Sequence, residues 1–166
     1  MATRQIRPIR VEGNIAYVPL TQGYEAIIDA VDVSLVNGRN WCALVQPSGV
    51  YAVSKGKKGL VRMHRIITHA PDGMQVDHVS GNGLDNRRSN LRLATASQNR
   101  CNTGLRSNNT SGIKGVTWDK YNRKWRAQIR WLGKVQYLGC YADKAEAQAA
   151  YAVASEKFHG EFRRTG

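Results

Sequence analysis

Residues 76–99 read VDHVSGNGLDNRRSNLRLATASQN, and this stretch decides the fold. Val76 to Val79 form a short β-type run that carries Asp77 and His78. A polar loop, Ser80 to Ser89, follows, and Asn90 opens a second apolar run from Leu91 to Ala94. Thr95 and Gln98 stand at capping-box spacing, so a helix is expected to begin at Thr95 with Asn99 in its early turns. Two strands and a helix in so short a segment can bring Asp77, His78 and Asn99 together. Neighbouring residues on a strand point to opposite faces, so Asp77 and His78 need a twist or a strand end to converge. Taken singly, Asp77, Asn90 and Asn99 suit the capping of turns and helix ends. Taken together with His78 at this spacing, they suit a catalytic site.

The whole chain bounds what such a site can serve. Its 166 residues are enough for one ordinary domain or a few small modules, and 42% of them are hydrophobic, so globular folding is expected. No apolar run approaches the roughly 18 residues of a membrane span, so no membrane partner is expected. Met1 to Arg10 carries charge and no apolar core, unlike a signal peptide. Cys42, Cys101 and Cys140 lie far apart without a CxxC pair, which argues against structural zinc and a disulfide framework and suits a reducing cytoplasm. Lys and Arg number 25 against 12 acidic residues, a net charge of +13. An excess of this size points to a polyanionic partner, with nucleic acid first and a solvated basic surface or a ribosome-like role as the alternatives. It runs through residues 1–60, 61–108 and 109–166 alike, as suits a protein that follows a long phosphate backbone.

Outward from the central stretch, the chain divides into an N-terminal segment 1–59, the site-bearing segment 60–103, a linker 104–112 and a C-terminal segment 113–166. In the first, residues 14–28 hold two β-type runs around a turn at Thr21-Gln22-Gly23. A short helix is expected over Asp29 to Val36, and strands over Trp41 to Val45 and Val50 to Val53. Lys55-Gly56-Lys57-Lys58-Gly59 reads either as a phosphate-contacting loop or as a solvated hairpin tip, and no GKS/T follows that would make it a Walker loop. GLRSNNTSG at 104–112 has linker composition. Beyond it, Ile113 to Trp118, Lys124 to Trp131 and Val135 to Tyr141 predict three strands. A helix from Lys144 to His159 is expected, with Asp143 as N-cap, Glu146 completing a capping box and Gly160 as the stop. Ala147, Ala150, Tyr151, Ala154 and Phe158 give it one apolar stripe.

The central stretch resembles the HNH nuclease family with its ββα-metal fold, in the phage and intron-encoded branch. The resemblance rests on Asp77-His78, on Asn90 and Asn99 at their spacing, on the DHVSGNGLDNRRSNLRLATASQN pattern, and on the upstream MHRII of Met63 to Ile67. It implies that His78 is the general base that activates water against a phosphodiester. It implies one divalent cation held by Asp77 and Asn99, with Asn90 bracing the hairpin, and products with 5′-phosphate and 3′-hydroxyl ends. Asn99 stands where the family name has its last His. A carboxylate with an amide oxygen is a hard donor set, so Mg²⁺ or Mn²⁺ is expected rather than Zn²⁺. His64 reads as structural or as a support behind the site, with a direct role as the alternative. His69 and His159 read as surface or packing residues. Arg87, Arg88 and Arg92 are either phosphate contacts near the cut or ordinary solvated charge.

The C-terminal segment resembles the plant ethylene-response-factor (Apetala) DNA-binding domain, through IKGVTW, KWRAQIR, YLGCY and KAEAQAAYAVASEKFHG. In KWRAQIR, alternation turns Trp125, Ala127 and Ile129 to the helix and Arg126, Gln128 and Arg130 outward. A sheet presenting Arg and Gln suits the major groove, where Arg reads guanine and Gln adenine. The resemblance sets the reading positions on Lys114, Thr117, Gln128, Arg130 and Tyr137. Thr117, Val135 and Tyr137 replace plant Arg or Trp, so the plant target does not carry over. Trp118 and Trp125 read as core rather than base contacts. The N-terminal leader VPLTQGYEAIIDAVDVSLVNGRNWCAL resembles the segment that precedes this type of nuclease.

The expectation is therefore an α+β protein with a β-rich N-terminal segment, a ββα-metal nuclease module and a three-stranded antiparallel sheet packed on one helix. Its expected function is a phage-encoded, homing-type, site-biased DNA endonuclease acting on double-stranded DNA in the host cytoplasm. A monomer, which would nick, and a homodimer, which would cut both strands, both fit. The rival is a non-catalytic, sequence-specific DNA-binding protein with a degenerate nuclease fold.

Overall fold

Alternation in IAYVP and EAIID builds the first hairpin. Strands β2 (Ile15–Pro19) and β3 (Glu25–Asp29) pair antiparallel, and Ala16, Val18, Ala26 and Ile28 turn inward. The turn between them places Gln22 at φ 62° and Gly23 at φ 76°, the left-handed region that glycine enters without strain. A short exposed strand, β1 (Arg10–Glu12), adds to the edge of β2 and was not expected, because RVE has no apolar alternation. The computed structural model describes residues 6–57, 59–105 and 108–162. Met1–Gln5 of the N-terminal segment, Lys58 of the basic loop, Arg106 and Ser107 of the linker, and Arg163–Gly166 lie outside the described residues. Among the described residues, no helix is long and apolar enough to cross a membrane.

The expected helix at 29–36 is shorter than the sequence suggested. A 3-10 turn at Ala30–Asp32 leads into α1 (Val33–Val36), because Asp29 and Asp32 are drawn to a distant arginine rather than capping a long helix. Strands β4 (Cys42–Gln46), β5 (Gly49–Gly56) and β6 (Gly59–Arg62) form a second antiparallel sheet, in which Lys55 pairs with Leu60 and Gly56 with Gly59. Helix α2 (Met63–Ile67) follows, then the hairpin of β7 (Gln75–His78) and β8 (Leu91–Ala94).

The chain divides into two compact units, one ending at Thr95 and the other starting at Ala96. In the first unit, one core joins both sheets. Trp41, Ile28, Met63, Ile67 and Val36 are fully buried, with Leu84 and Leu91 of the hairpin packed against them. Burying each large apolar side chain contributes about 1.5–3 kcal/mol. Trp41 also donates its indole N–H to the Val36 carbonyl at 2.9 Å, which satisfies its one polar atom.

The second unit begins with α3 (Ala96–Cys101) and contains a three-stranded antiparallel sheet in the order β11 (Lys134–Tyr141), β10 (Lys124–Trp131), β9 (Val116–Asp119), with α4 (Lys144–His159) packed on one face. One core cluster joins Val116, Ala127 and Ala147, flanked by Ile113, Trp125, Leu138, Tyr141 and Tyr151, and Ile129, Ala154 and Phe162 are buried as well. Gly115 sits at φ +73°, and a Cβ there would fall 2.2 Å from the Tyr151 ring, so the close approach of ring and backbone needs glycine. This turn is also why β9 starts at Val116 rather than Ile113. Ser111, at the end of the expected linker, is buried and donates to the Val116 carbonyl at 2.6 Å. Asp143 caps α4 through the Ala145 N–H, and Gly160 at φ 52° ends it.

Candidate active site

His78 ends β7, and its side chain is 6% exposed. The strand keeps its alternation there. Asp77 turns to its cross-strand partner Arg92, while His78 turns to the rings of His64 and Tyr51. The two imidazoles meet edge-on with centroids 5.0 Å apart. Tyr51 lies 6.0 Å from His78 and 6.3 Å from His64, centroid to centroid. Burial pushes the His64 pKa down to about 3, helped by the charges of His78, Arg62 and Arg65. Burial also lowers the His78 pKa, against the opposing pull of the Asn86 hydrogen bond and of Asp77 and Asp85. Both directions favour neutral rings at neutral pH, and a neutral imidazole is the form that can accept a proton.

The Ser80–Ser89 loop is not a solvated excursion. Asn90 closes its base: Oδ1 accepts from the Ser80 N–H at 2.9 Å, Nδ2 donates to the Asp85 carbonyl at 2.7 Å, and the Asn90 carbonyl accepts from the Val79 N–H at 2.9 Å. The far side of the loop lies along β3. Ile27 donates to the Leu84 carbonyl at 2.8 Å, and Asn86 donates its backbone N–H to the Ile27 carbonyl at 2.7 Å. Gly83 is pressed against β5, where a Cβ would fall 2.5 Å from the Val50 carbonyl and 2.6 Å from the Tyr51 ring.

The three arginines of the hairpin and its loop, Arg87, Arg88 and Arg92, each meet a carboxylate. Arg87 pairs with Asp85 at 2.6 and 2.8 Å and holds that carboxyl below its usual range. Arg88 reaches the buried Asp32 at 2.7 Å, and its backbone N–H donates to Asp29 at 2.7 Å. Arg92 donates twice to Asp77 Oδ2, at 2.6 and 2.8 Å. Arg65 donates to the carbonyls of Met74, Ala70 and Pro71 and closes the segment before β7. Asn99 is half-buried on α3, in the second unit. Among the described residues, no three His, Cys, Asp or Glu side chains gather as a metal site. The donor set named from the sequence is one carboxylate and one amide, and such hard oxygen donors suit a hard divalent cation.

In the second unit, cross-strand pairs fix one outer face. Thr117 stands opposite Arg126, Gln128 opposite Tyr137 and Arg130 opposite Val135. Directly opposed residues share a face. A bulge between Ala127 and Gln128 switches the parity of β11, which brings Tyr137 rather than Leu138 to that face and leaves Gln136 across from Ile129. Arg126, Arg130, Thr117 and Tyr137 are exposed, and Gln128 is half-buried. Lys114 lies elsewhere: its ammonium donates to the carbonyls of Cys101 and Thr103 at 2.6 and 2.7 Å, at the C-terminal end of α3. Trp118 and Trp125 meet edge-on on the helix side, although Trp118 remains 44% exposed.

Nothing in the sequence singled out Asn86, Tyr51 or Asp32. Asn86 is fully buried, yet it stands among Asp, Arg and Ser in a run that reads as solvent-facing. A register argument cannot reach a side chain buried by a loop.

The sequence model of the HNH endonuclease family matches residues 63–101, from α2 through the hairpin to α3. The chain belongs to this family. It is 36% identical over 94 residues to Protein 3.8 of Escherichia phage T7, an alignment covering 57% of this chain and 77% of that protein. It is also 30% identical over 110 residues to an uncharacterized HNH endonuclease of Acanthamoeba polyphaga mimivirus, covering 63% of this chain and 56% of the relative. No solved structure matches the chain.

Proposed function

We propose that the chain is a phage-encoded, homing-type DNA endonuclease that hydrolyses phosphodiester bonds with the help of a divalent cation. The observation that carries this reading is His78, a buried imidazole biased toward its neutral form on the hairpin of the HNH segment. In the proposed reaction, His78 takes a proton from a water that attacks phosphorus in line. The P–O3′ bond breaks, and the departing 3′ oxygen takes a proton from solvent, leaving a 5′-phosphate and a 3′-hydroxyl. Asp77 and Asn99 are the residues that would hold Mg²⁺ or Mn²⁺ through oxygen. Once bound, the cation offsets the charge that builds on the phosphate and the departing oxygen. Asn90 braces the loop that carries the site. The outer face of the C-terminal sheet, with Thr117, Arg126, Gln128, Arg130 and Tyr137, is proposed to contact double-stranded DNA in the manner of the plant domain it resembles.

A second reading, a non-catalytic DNA-binding protein, draws support from Arg92, whose guanidinium already neutralises Asp77. Supercoiled plasmid incubated with Mg²⁺ or Mn²⁺, beside a chelator control, decides between them. The enzyme reading expects metal-dependent nicks that ligase reseals, since a 5′-phosphate and a 3′-hydroxyl are its substrates. Binding without nicking under every divalent metal tried would leave the second reading standing.

A further inference from the structure

The Asn86 amide is held in one orientation. Its Nδ2 donates to the Leu84 carbonyl at 3.1 Å and to the Gly83 carbonyl at 3.5 Å. Only the NH₂ end can serve two carbonyls, so the oxygen end is the one turned to His78, with Oδ1 3.4 Å from Nε2. An amide oxygen only accepts. The hydrogen between the two groups therefore belongs to the imidazole, on Nε2, and in the neutral ring Nδ1 is then the acceptor. The separation is long for such a bond, as catalytic hydrogen bonds often are before substrate binds.

The amide is itself fixed from outside the hairpin. The Asn86 backbone N–H donates to Ile27 of β3, the Ile27 N–H donates to Leu84, and Gly83 is seated against Val50 and Tyr51. Residues 83, 84 and 86 thus form a short bracket between the N-terminal sheets and the imidazole. We propose that Asn86 is a positioning residue that sets the His78 tautomer, with Nε2 protonated and Nδ1 receiving the proton from water, and that the strand at Ile27 holds Asn86 for this task. The proposal rests on His78 acting as the base. It assigns a part in the chemistry to residues 25–29, which lie outside the 63–101 segment that the family shares.

The test reads the tautomer and the rate separately. In protein labelled with ¹⁵N-histidine, at a pH where the ring is neutral, His78 Nε2 is expected to show the protonated, pyrrole-type resonance and Nδ1 the pyridine-type one. Asn86→Leu keeps the bulk and removes the acceptor. It is expected to give a mixed-tautomer signal and to lower kcat for plasmid nicking about 10- to 100-fold, the usual size for a residue that orients a site group, with KM for DNA unchanged. Asn86→Asp restores an oxygen acceptor and is expected to recover the Nε2–H pattern. If the Leu variant does not fold, the wild-type and Asp spectra still decide. A wild-type ring protonated on Nδ1, or a Leu variant with unaltered tautomer and kcat, overturns the proposal. A wild type that shows the expected tautomer but nicks nothing overturns the enzyme reading and leaves the Asn86–His78 geometry intact.

Discussion

The two units use polar side chains differently. The first buries them: Asp32, His64, Asp77, His78, Asp85, Asn86 and Asn90 are all under 10% exposed. The second buries the uncharged Asn102, Ser111 and Ser155 with His159, and holds Arg126 and Arg130 exposed on one sheet face. A buried polar group is costly unless satisfied, and a satisfied network holds one geometry. An exposed guanidinium keeps its mobility and can follow a phosphate it meets. The first arrangement suits holding a reacting group still, the second suits attraction. The comparison predicts that damage around His78 in the first unit appears in rate, and damage on the outer sheet face of the second in affinity.

The largest break in that comparison is expected from His78→Ala. General-base catalysis contributes about 10²–10⁴-fold, so nicking should fall by that range while DNA affinity in a gel-shift titration stays within error of wild type. Equal cleavage by the variant would remove His78 as the base. The next effect is on stability. His64 has its pKa lowered from 6.5 to about 3 by burial, so the unfolded chain binds a proton there that the folded chain refuses. The stability this neutral ring supports is present above pH 6.5 and is lost as pH falls from 6.5 toward 3. Denaturant unfolding of the full chain at a series of pH values should show that decline. His64→Gln should flatten it, leaving the share due to His78, which is also depressed by burial. A slope unaltered in His64→Gln would place the titration elsewhere.

Much of this contrast was legible in the sequence, and the exceptions share a cause. Period-2 alternation in KWRAQIR put Ala127 and Ile129 inside, and the capping signals at Asp143 and Gly160 marked α4 at both ends. These are local signals, carried by residues a few positions apart. The β7–β8 hairpin was legible for the same reason. The bracket at Ile27 was not, because the pairing of 27 with 85 spans most of the first unit and no periodicity encodes it. Arg87, Arg88 and Arg92 read equally well as phosphate contacts or solvated charge. Their carboxylates, Asp85, Asp32 and Asp77, could be found for Arg87 within the loop but not for Arg88, whose partner stands 56 positions away. Capping-box spacing pointed to a helix from Thr95, and Asn99 does lie on α3, which is only the six residues Ala96–Cys101; its part in a site came from the family resemblance.

Two glycines offer a matched pair of smaller breaks. Gly83→Ala puts a methyl against the Val50 carbonyl and the Tyr51 ring, and Gly115→Ala puts one against the Tyr151 ring and the Gln128 carbonyl at a positive φ. In both, part of the obstacle is backbone, which cannot swing aside, so each should cost about 1–3 kcal/mol by the usual scale of overpacking. Their functional signatures should differ. Gly83→Ala is expected to lower kcat by displacing the loop that faces His78. Gly115→Ala is expected to raise the DNA Kd with kcat at saturating DNA preserved. Identical signatures from both would deny the division of labour.

The finest effect concerns which cations of the second unit meet phosphate or bases. Arg126 and Arg130 stand on the outer face, across from Thr117 and Val135. Lys114 was assigned to the same reading set by resemblance, but its ammonium lies between the carbonyls of Cys101 and Thr103. A contact to one phosphate contributes about 0.9 to the slope of log affinity against log salt. The Arg126→Ala/Arg130→Ala pair should therefore lower that slope by up to about 2 if both touch phosphate, and should relax sequence preference instead if they reach bases. Lys114→Met should leave the slope nearly unchanged and lower the stability of the second unit, since two carbonyls at the end of α3 lose a charged donor. Fluorescence anisotropy across a salt series, with thermal unfolding alongside, separates the two. A salt slope that drops by about 1 in Lys114→Met would mean that the lysine leaves α3 to meet DNA, and an unchanged slope and sequence preference in the arginine pair would mean that the outer face does not.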